Sequence, residues 1–554
     1  VVATRLSTKE SLLGPVLERL FGLPPGRHAA VRRDTGVRVA MPDGIRLATD
    51  VYAPDRAEPR GPVVLVRTPY DRTGPFSAAY GILLARRGLR VVVQDVRGTF
   101  GSEGVFEPFH HESADGLATL TWIRDQPWCD GRVATAGASY VGHTQWAIGP
   151  YAEPRLSAMA LAITTSDFGP SFYPGGSMSL WSMLSWSALI ATQEDELDPI
   201  ARHRLEGRIR AAMATVPVID ADLAAVGRRV TFLGEVASHA EPGDPFWRAD
   251  AHDGDLPGLD TPVSMITGWH DLFADLQLRD FTRLQDAGAD VRLTVGPWYH
   301  GQLSSVPSLF RDQVEFLAGH LLDDAAALQR PRVRLYLQGA RQWLTAERWP
   351  LPTTEQTWSL GADGRVGPGE PVAGARAFRY DPADPTPTVG GPILGKQAGS
   401  RDNRAVEGRD DVLTWTSDVL DRDLDVIGEI TAELAVRTEH PDADVFVRVC
   451  DVDPRGCSTN VTDRLRRLRL ADPAPVDDLG TRPVSFPLWP TAYRFRAGHR
   501  IRVQVSGGAL PNYVRNHQTG EPIATAVRTV AGRTQVLHGG DRPTRLLLPV
   551  FGAR

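Results

Sequence analysis

The stretch that most constrains this chain is Val133-Ala-Thr-Ala-Gly-Ala-Ser-Tyr-Val-Gly-His-Thr-Gln-Trp146. Residues 133–136 read as a short strand, and the residues after the turn run on as a helix through Trp146 and Ile148. The tight turn between them carries Ser139, flanked by Gly137 and Gly142. So abrupt a strand-to-helix turn favours small neighbours, because a Cβ there would crowd the adjoining backbone. It lifts the hydroxyl clear of the sheet and aims the first N–H groups of the helix at whatever that hydroxyl attacks. Compared with the usual G-x-S-x-G spacing the second glycine stands one place late, with Val141 in its position.

The flanking chain predicts an α/β fold to hold this turn. Residues 37–40 and 45–52 alternate apolar and polar side chains about a Pro-Asp-Gly turn, the pattern of an antiparallel hairpin. Residues 62–67 and 89–95 are largely apolar runs, as in parallel strands covered on both faces. Helical patterns at 78–87 and 112–125 complete a βαβ progression in a doubly wound sheet. Such sheets bind ligands at the carboxyl ends of their strands, where Tyr70, Asp95 and Ser139 fall. A short helix at 15–21, with Pro15 in its first turn, is expected on the surface of this body.

From 168 to about 252 the pattern is helical only, which predicts a cap over the active face. Its aromatic stripe, with Trp181 and Trp186, either lines a pocket or is plain core. The sheet resumes at 262–267 and 291–295, and a helix at 309–322 closes the body. Beyond Pro331, short alternating runs at 333–338, 357–360, 412–416, 427–437, 445–452, 500–506 and 545–550 predict a β-sandwich. The expected division is 1–165 and 255–328 for the α/β body, 166–254 for the cap and 329–554 for the sandwich.

A serine hydroxyl needs a base, which histidine supplies near neutrality, and a buried carboxylate to fix the histidine's tautomer. Among fourteen histidines His300 fits best, on a loop just after a late strand, with Asp271 on the loop after the strand before it. The order Ser139, Asp271, His300 is that of the α/β-hydrolase triad. His143 lies four residues past Ser139 on the same helix and reads as structural; His270 adjoins Asp271 and is a weaker base. Asp95 is the alternative acid, although nearby Arg97 suggests a structural ion pair. An oxyanion hole needs the Tyr140 backbone N–H and a second donor from the loop Arg67-Thr-Pro-Tyr-Asp-Arg72. Proline cannot donate, so Tyr70 is the candidate, through its phenol or its backbone; simple packing of the loop is the alternative.

Composition narrows the partners. A net charge of −6 and a pI near 6.2 give no basic footprint for nucleic acid. No apolar run approaches the length of a membrane span, and no secretory signal pattern opens the segment, so a cytoplasmic protein is expected. Cys129, Cys450 and Cys457 form no even framework; Cys450 and Cys457 are near enough to pair, although free thiols in a reducing compartment fit better. Without H-E-x-x-H or a Cys/His cluster, neither metal nor cofactor is expected. Oligomeric state is not legible, and a homodimer stays open.

Arg67-Thr-Pro-Tyr-Asp, Gln94-Asp-Val-Arg-Gly, Gly137-Ala-Ser-Tyr-Val-Gly, Gly268-Trp-His-Asp and Gly296-Pro-Trp-Tyr-His together resemble the cocaine-esterase-like family of hydrolases. Its relatives are the X-Pro dipeptidyl peptidases and α-amino acid ester hydrolases, and the similarity covers nearly the whole chain, including the late glycine at 142. The resemblance implies an α/β-hydrolase body, a helical cap and a C-terminal jelly-roll domain. It implies Ser139 as nucleophile, His300 as base, Asp271 as orienting acid, and the Tyr70 hydroxyl with the Tyr140 N–H as oxyanion donors. Phe273 and the Trp181 to Trp186 region would border the acyl pocket. The α-amino acid ester hydrolases that this chain resembles hold a substrate ammonium with extra carboxylates, whereas Leu272, Phe273 and Ala274 follow the aspartate here. The expected substrate is therefore a small ester with a neutral, aromatic acyl group, with an X-Pro dipeptidyl-peptidase-like or amide hydrolase using the same triad as the alternative. A non-catalytic binding module is disfavoured, because every triad residue type is present.

Overall fold

Eleven strands make one sheet in the computed structural model, which describes residues 2–5, 8–241, 244–248, 251–469, 477–540 and 544–552. They are β1 Val2–Arg5, β2 Val31–Ala40, β3 Arg46–Pro54, β4 Gly61–Thr68, β5 Arg90–Asp95, β6 Cys129–Ala138, β7 Ala158–Ala162, β8 Val263–His270, β9 Val291–Tyr299, β10 Val333–Leu337 and β11 Gln342–Ala346. Their spatial order is β1-β2-β3-β5-β4-β6-β7-β8-β9-β10-β11. The hairpin β2–β3 is antiparallel, with Val37 opposite Thr49, and the run from β5 to β10 is parallel throughout. From β4 the chain steps one way to β5, and from β6 it steps the other way to β7. The crevice at the carboxyl ends of β4 and β6 is thus the topological switch point of the sheet, where such folds bind ligands.

The central strands are apolar because both faces are covered. Val64, Val66, Val91 and Ala136 pack under Leu83, Phe310 and Leu317, while Val63, Leu65, Val92 and Val133 pack with Ile123, Trp146 and Phe281 on the other face. Strand β7 was not expected from the sequence: Ala-Met-Ala-Leu-Ala has low strand propensity and is short, yet it is buried throughout between β6 and β8. The N-terminal helix, α1, spans Thr8–Phe21, with Pro15 inside it and not in its first turn. Tertiary contacts on its second half outweigh the proline. Glu18 pairs with Arg86 at 2.9 Å, and Phe21 stacks on Phe310 with centroids 5.1 Å apart.

Between β7 and β8 the described residues form helical segments only, the longest being Leu180–Thr192 and Pro199–Ala212. Ala221–Val226 and Thr231–Ser238 follow. This is the cap.

The C-terminal part pairs a nine-stranded with a four-stranded antiparallel sheet around Trp358, Trp415, Val436, Val447, Phe486 and Leu546. Two expectations need correction. The run at 333–338, read as the first strand of the sandwich, is β10; it pairs parallel with β9, so the body sheet reaches Ala346. A short alternating run carries no mark of which sheet it joins. The single run at 427–437 is two strands, Leu424–Gly428 and Thr431–Thr438, broken where Gly428 takes a φ of 129°. Gly374–Tyr380, Ser458–Leu468, Arg482–Pro487, Thr491–Phe495 and Gly532–His538 went unread. In Ser458–Leu468 the polar positions are themselves buried, which hides the alternation.

Candidate active site

Ser139 follows β6 and caps the helix α2, Tyr140–Trp146, with φ 59° and ψ −125°. That is strained backbone for a side chain with a Cβ, and the turn is held at both ends. The Ser139 N–H donates to Ala162 O at 2.9 Å, and its carbonyl accepts from the N–H groups of Gly142 at 2.8 Å and His143 at 3.0 Å. The two glycines have separate reasons. A Cβ on residue 137 would lie 2.2 Å from Val141 Cγ1, and one on residue 142 would lie 2.5 Å from Thr164 Cγ2. The late glycine is therefore where α2 grazes the chain leaving β7.

Asp271 and His300 follow β8 and β9. Gly268 lets the end of β8 approach β9, since a Cβ there would lie 2.3 Å from Trp298 O, and Gly296 leaves room for the Trp298 ring on its own strand. The outcome is a relay. His300 Nε2 lies 3.0 Å from Ser139 Oγ, and His300 Nδ1 lies 2.9 Å from Asp271 Oδ2. A carboxylate only accepts, so Nδ1 carries the proton and Nε2 is left to accept from the serine. Asp271 is wholly buried, and its other oxygen accepts from the Phe273 N–H at 2.8 Å.

Tyr70 follows β4, across the switch point from Ser139. Its backbone N–H is committed to Thr68 Oγ1 at 3.0 Å, which leaves the phenol as the group free to serve the site. The Trp186 indole N–H donates to that phenol oxygen at 2.9 Å. Burial pushes the Tyr70 phenol up to about 12, against the pull of hydrogen bonds from Trp186 and Ser139, so it stays protonated near neutrality. The Tyr140 N–H is one of the four that a helix start leaves without intrahelical acceptors.

The sequence reading missed the support beneath the elbow. The Tyr140 hydroxyl donates to Glu112 Oε1 at 2.8 Å and accepts from the Phe109 N–H at 2.8 Å. Glu112 in turn pairs with Arg67 at 2.8 Å, both buried, and Arg67 reaches Gln94 at 3.0 Å. The available signal was an arginine ending an apolar strand, since a buried charge demands a partner.

Asp95 lies outside the site. It pairs with Arg72 and also accepts the Arg72 N–H at 2.6 Å; Arg97, the partner expected for it, instead holds Asp115 at 2.6 Å. His143 is buried against Phe109 and Phe168, and burial keeps it neutral. His270 faces Gln338 at 3.0 Å. Cys450 and Cys457 do not pair; Cys450 Sγ takes a bond from Gln504 at 3.3 Å.

A cavity opens over Ser139, walled by Phe109, Phe168, Phe172, Met183, Trp186 and Phe273, with Leu394 contributed from beyond the body sheet. Its volume is about 30 Å³, so the walls stand close together. Trp181 is not part of this wall; its indole donates to Leu394 O at 2.9 Å. No carboxylate among the described residues lines the cavity. Asp275 is paired with Arg464 and, at 2.9 Å, with Arg279. No group of three or more His, Cys, Asp or Glu side chains among the described residues could hold a metal ion. No helix among them is long and apolar enough to cross a membrane.

Residues 43–302 match the X-Pro dipeptidyl-peptidase (S15) family, and residues 326–547 match the X-Pro dipeptidyl-peptidase C-terminal non-catalytic domain. Over 93% of its length the chain is 34% identical to the cocaine esterase of Rhodococcus sp. (strain MB1 Bresler), of which 98% is covered. The chain belongs to the cocaine-esterase-like family. As a member of the cocaine-esterase-like family it is a serine hydrolase of the esterase type. Two solved structures share its fold. An α-amino acid ester hydrolase superposes with a TM-score of 0.79 at 24% identity, over 94% of this chain and 97% of that one. An aminopeptidase from a marine sediment Thaumarchaeota archaeon gives 0.77 at 24% identity, over 93% and 96%.

Proposed function

We propose that the protein hydrolyses small carboxylic esters with neutral, aromatic acyl groups through an acyl-enzyme on Ser139. His300 takes the Ser139 proton as the hydroxyl attacks the ester carbonyl, and Asp271 stabilises the imidazolium that forms. The tetrahedral oxyanion sits between the Tyr70 phenol and the Tyr140 N–H, at the switch point between β4 and β6. His300 then protonates the departing alkoxide, and a water activated in the same way releases the acid.

One observation carries this reading: the 3.0 Å and 2.9 Å relay opens into an apolar, aromatic cavity. An X-Pro peptidase needs a partner for the substrate's free ammonium, and Asp275, four residues past Asp271, is already neutralised by Arg464 and Arg279. The three unpaired thiols support a reducing, cytoplasmic setting.

The test is hydrolysis of a panel of p-nitrophenyl esters beside X-Pro-p-nitroanilides, by the intact protein and by Ser139→Ala. Aromatic esters should be cleaved fastest, with a loss of up to about 10⁶-fold in the variant. Preference for anilides with a free amino terminus would replace the esterase reading, and undiminished activity in Ser139→Ala would remove the triad.

A further inference from the structure

The helix Leu180–Thr192 touches both parts of the oxyanion site, and its side chains do more than line a pocket. Trp186 donates its indole N–H to the Tyr70 phenol oxygen at 2.9 Å. An indole N–H can only donate, so it occupies an acceptor position on that oxygen and leaves the phenolic proton for another partner. Such a bond also polarises the phenol, making its O–H a stronger donor where water is excluded. The indole has little freedom to turn away. It stacks on the Tyr140 ring at 6.0 Å and 15°, and Phe232 meets it edge-on at 4.9 Å. Tyr140 is also the residue whose backbone N–H is the second donor.

The same helix grips the Tyr70 loop a second time just past its end, where Gln193 Nε2 donates to Pro69 O at 2.9 Å. Its other end is fastened to segments beyond the body sheet: the Trp181 N–H bonds Pro511 O at 3.0 Å, and the Trp181 indole bonds Leu394 O at 2.9 Å. The loop that carries Tyr70 is therefore referenced to the cap and, through it, to the sandwich.

We propose that Trp186 is a positioning residue for the oxyanion hole: its N–H fixes the Tyr70 phenol with the proton turned toward the reacting oxygen, and Gln193 fixes the loop beneath it. This rests on Tyr70 being the oxyanion donor, as assigned above. A residue that only borders the acyl group would act on ester binding, whereas a polarising hydrogen bond acts on kcat through Tyr70 alone.

A double-mutant cycle on a p-nitrophenyl ester separates the two. Tyr70→Phe should lower kcat by about 10²- to 10³-fold. Trp186→Phe, which keeps an aromatic wall but no N–H, should lower kcat about tenfold with KM little changed, the size expected for one hydrogen bond. The double variant should fall no further than Tyr70→Phe. Gln193→Leu, which leaves the aromatic wall intact, should give a smaller loss that also vanishes in the Tyr70→Phe background. An equal Trp186→Phe loss with and without the Tyr70 hydroxyl, or a rise in KM at constant kcat, would overturn the proposal while leaving Tyr70 in its role. If Tyr70→Phe itself retained full kcat, the oxyanion assignment would fall first and this proposal with it.

Discussion

Two buried polar clusters of this molecule are built on opposite principles. In the proposed catalytic cluster, Ser139, Asp271 and His300 each follow a strand of one sheet, and backbone geometry brings them together. In the cluster between body and sandwich, Arg448 and Asp463 are both buried and pair at 2.8 Å within the four-stranded sheet. Next to Asp463 in sequence, Arg464 crosses to Asp275 on the body helix Ala274–Asp286. The first cluster is made of parts that work only in combination. The second neutralises charge at a junction and could in principle be replaced by apolar side chains. Buried polarity alone thus does not mark a site. What distinguishes the Ser139 cluster is a serine–histidine–carboxylate relay that ends on an aromatic cavity.

The largest effect should come from the catalytic cluster. Asp271→Asn keeps the shape but favours the wrong histidine tautomer, and kcat for ester hydrolysis should fall by about 10⁴-fold with the fold intact by circular dichroism. Next is the junction. Asp463→Ala leaves Arg448 buried without its carboxylate and should cost about 3–5 kcal/mol in urea unfolding. The pair Arg448→Met with Asp463→Leu should recover most of that. If the double variant were as unstable as the single one, the junction would be more than neutralised charge, and the comparison would fail.

A smaller effect is expected where packing shapes the elbow. Gly142→Ala drives a methyl to within 2.5 Å of Thr164, an overpacking worth about 1–3 kcal/mol, and Thr164→Gly in the same chain should relieve it. Near neutral pH the smallest effect concerns the buried imidazoles behind the elbow. Burial pulls His252 down to about 4 despite Asp255 and Asp253, so the unfolded chain binds a proton there that the folded chain refuses. That contribution to stability is present above about pH 6.5 and lost as pH falls toward 4, with a slope of up to about 1.4 kcal/mol per pH unit. His252→Gln should flatten the melting temperature against pH over that window. Asp280, raised to about 6 by burial, acts with the opposite sign in both proteins and cancels in the difference.

The comparison also explains what could be read in advance. That Ser139, Asp271 and His300 come together was legible because each directly follows a strand of the sheet, at the end where such folds bind ligands. The cap was legible from its uniform periodicity. Arg67 and Glu112 were not, because their meaning depends on a partner 45 residues away in the chain. The Arg464–Asp275 contact spans 189 residues and leaves no local trace. Strand β7 was hidden by its alanines, and Ser458–Leu468 by the arginines and aspartate it buries. Trp181 and Trp186 share one helix in the sequence pattern, yet one anchors a neighbouring segment and the other meets the Tyr70 phenol.

Strand β10 has a further consequence for anyone dividing the protein. Just past it, the Gln338 N–H bonds Ala492 O, and the Arg494 N–H bonds Gln338 O, each at 2.9 Å, so main-chain bonds stitch the sheet of the body to the jelly roll. A fragment cut at residue 328 would strip β9 of its parallel neighbour and leave an unpaired, largely apolar edge. Bare edges of that kind recruit other chains, so such a fragment should be recovered as aggregate, not as a smaller working enzyme.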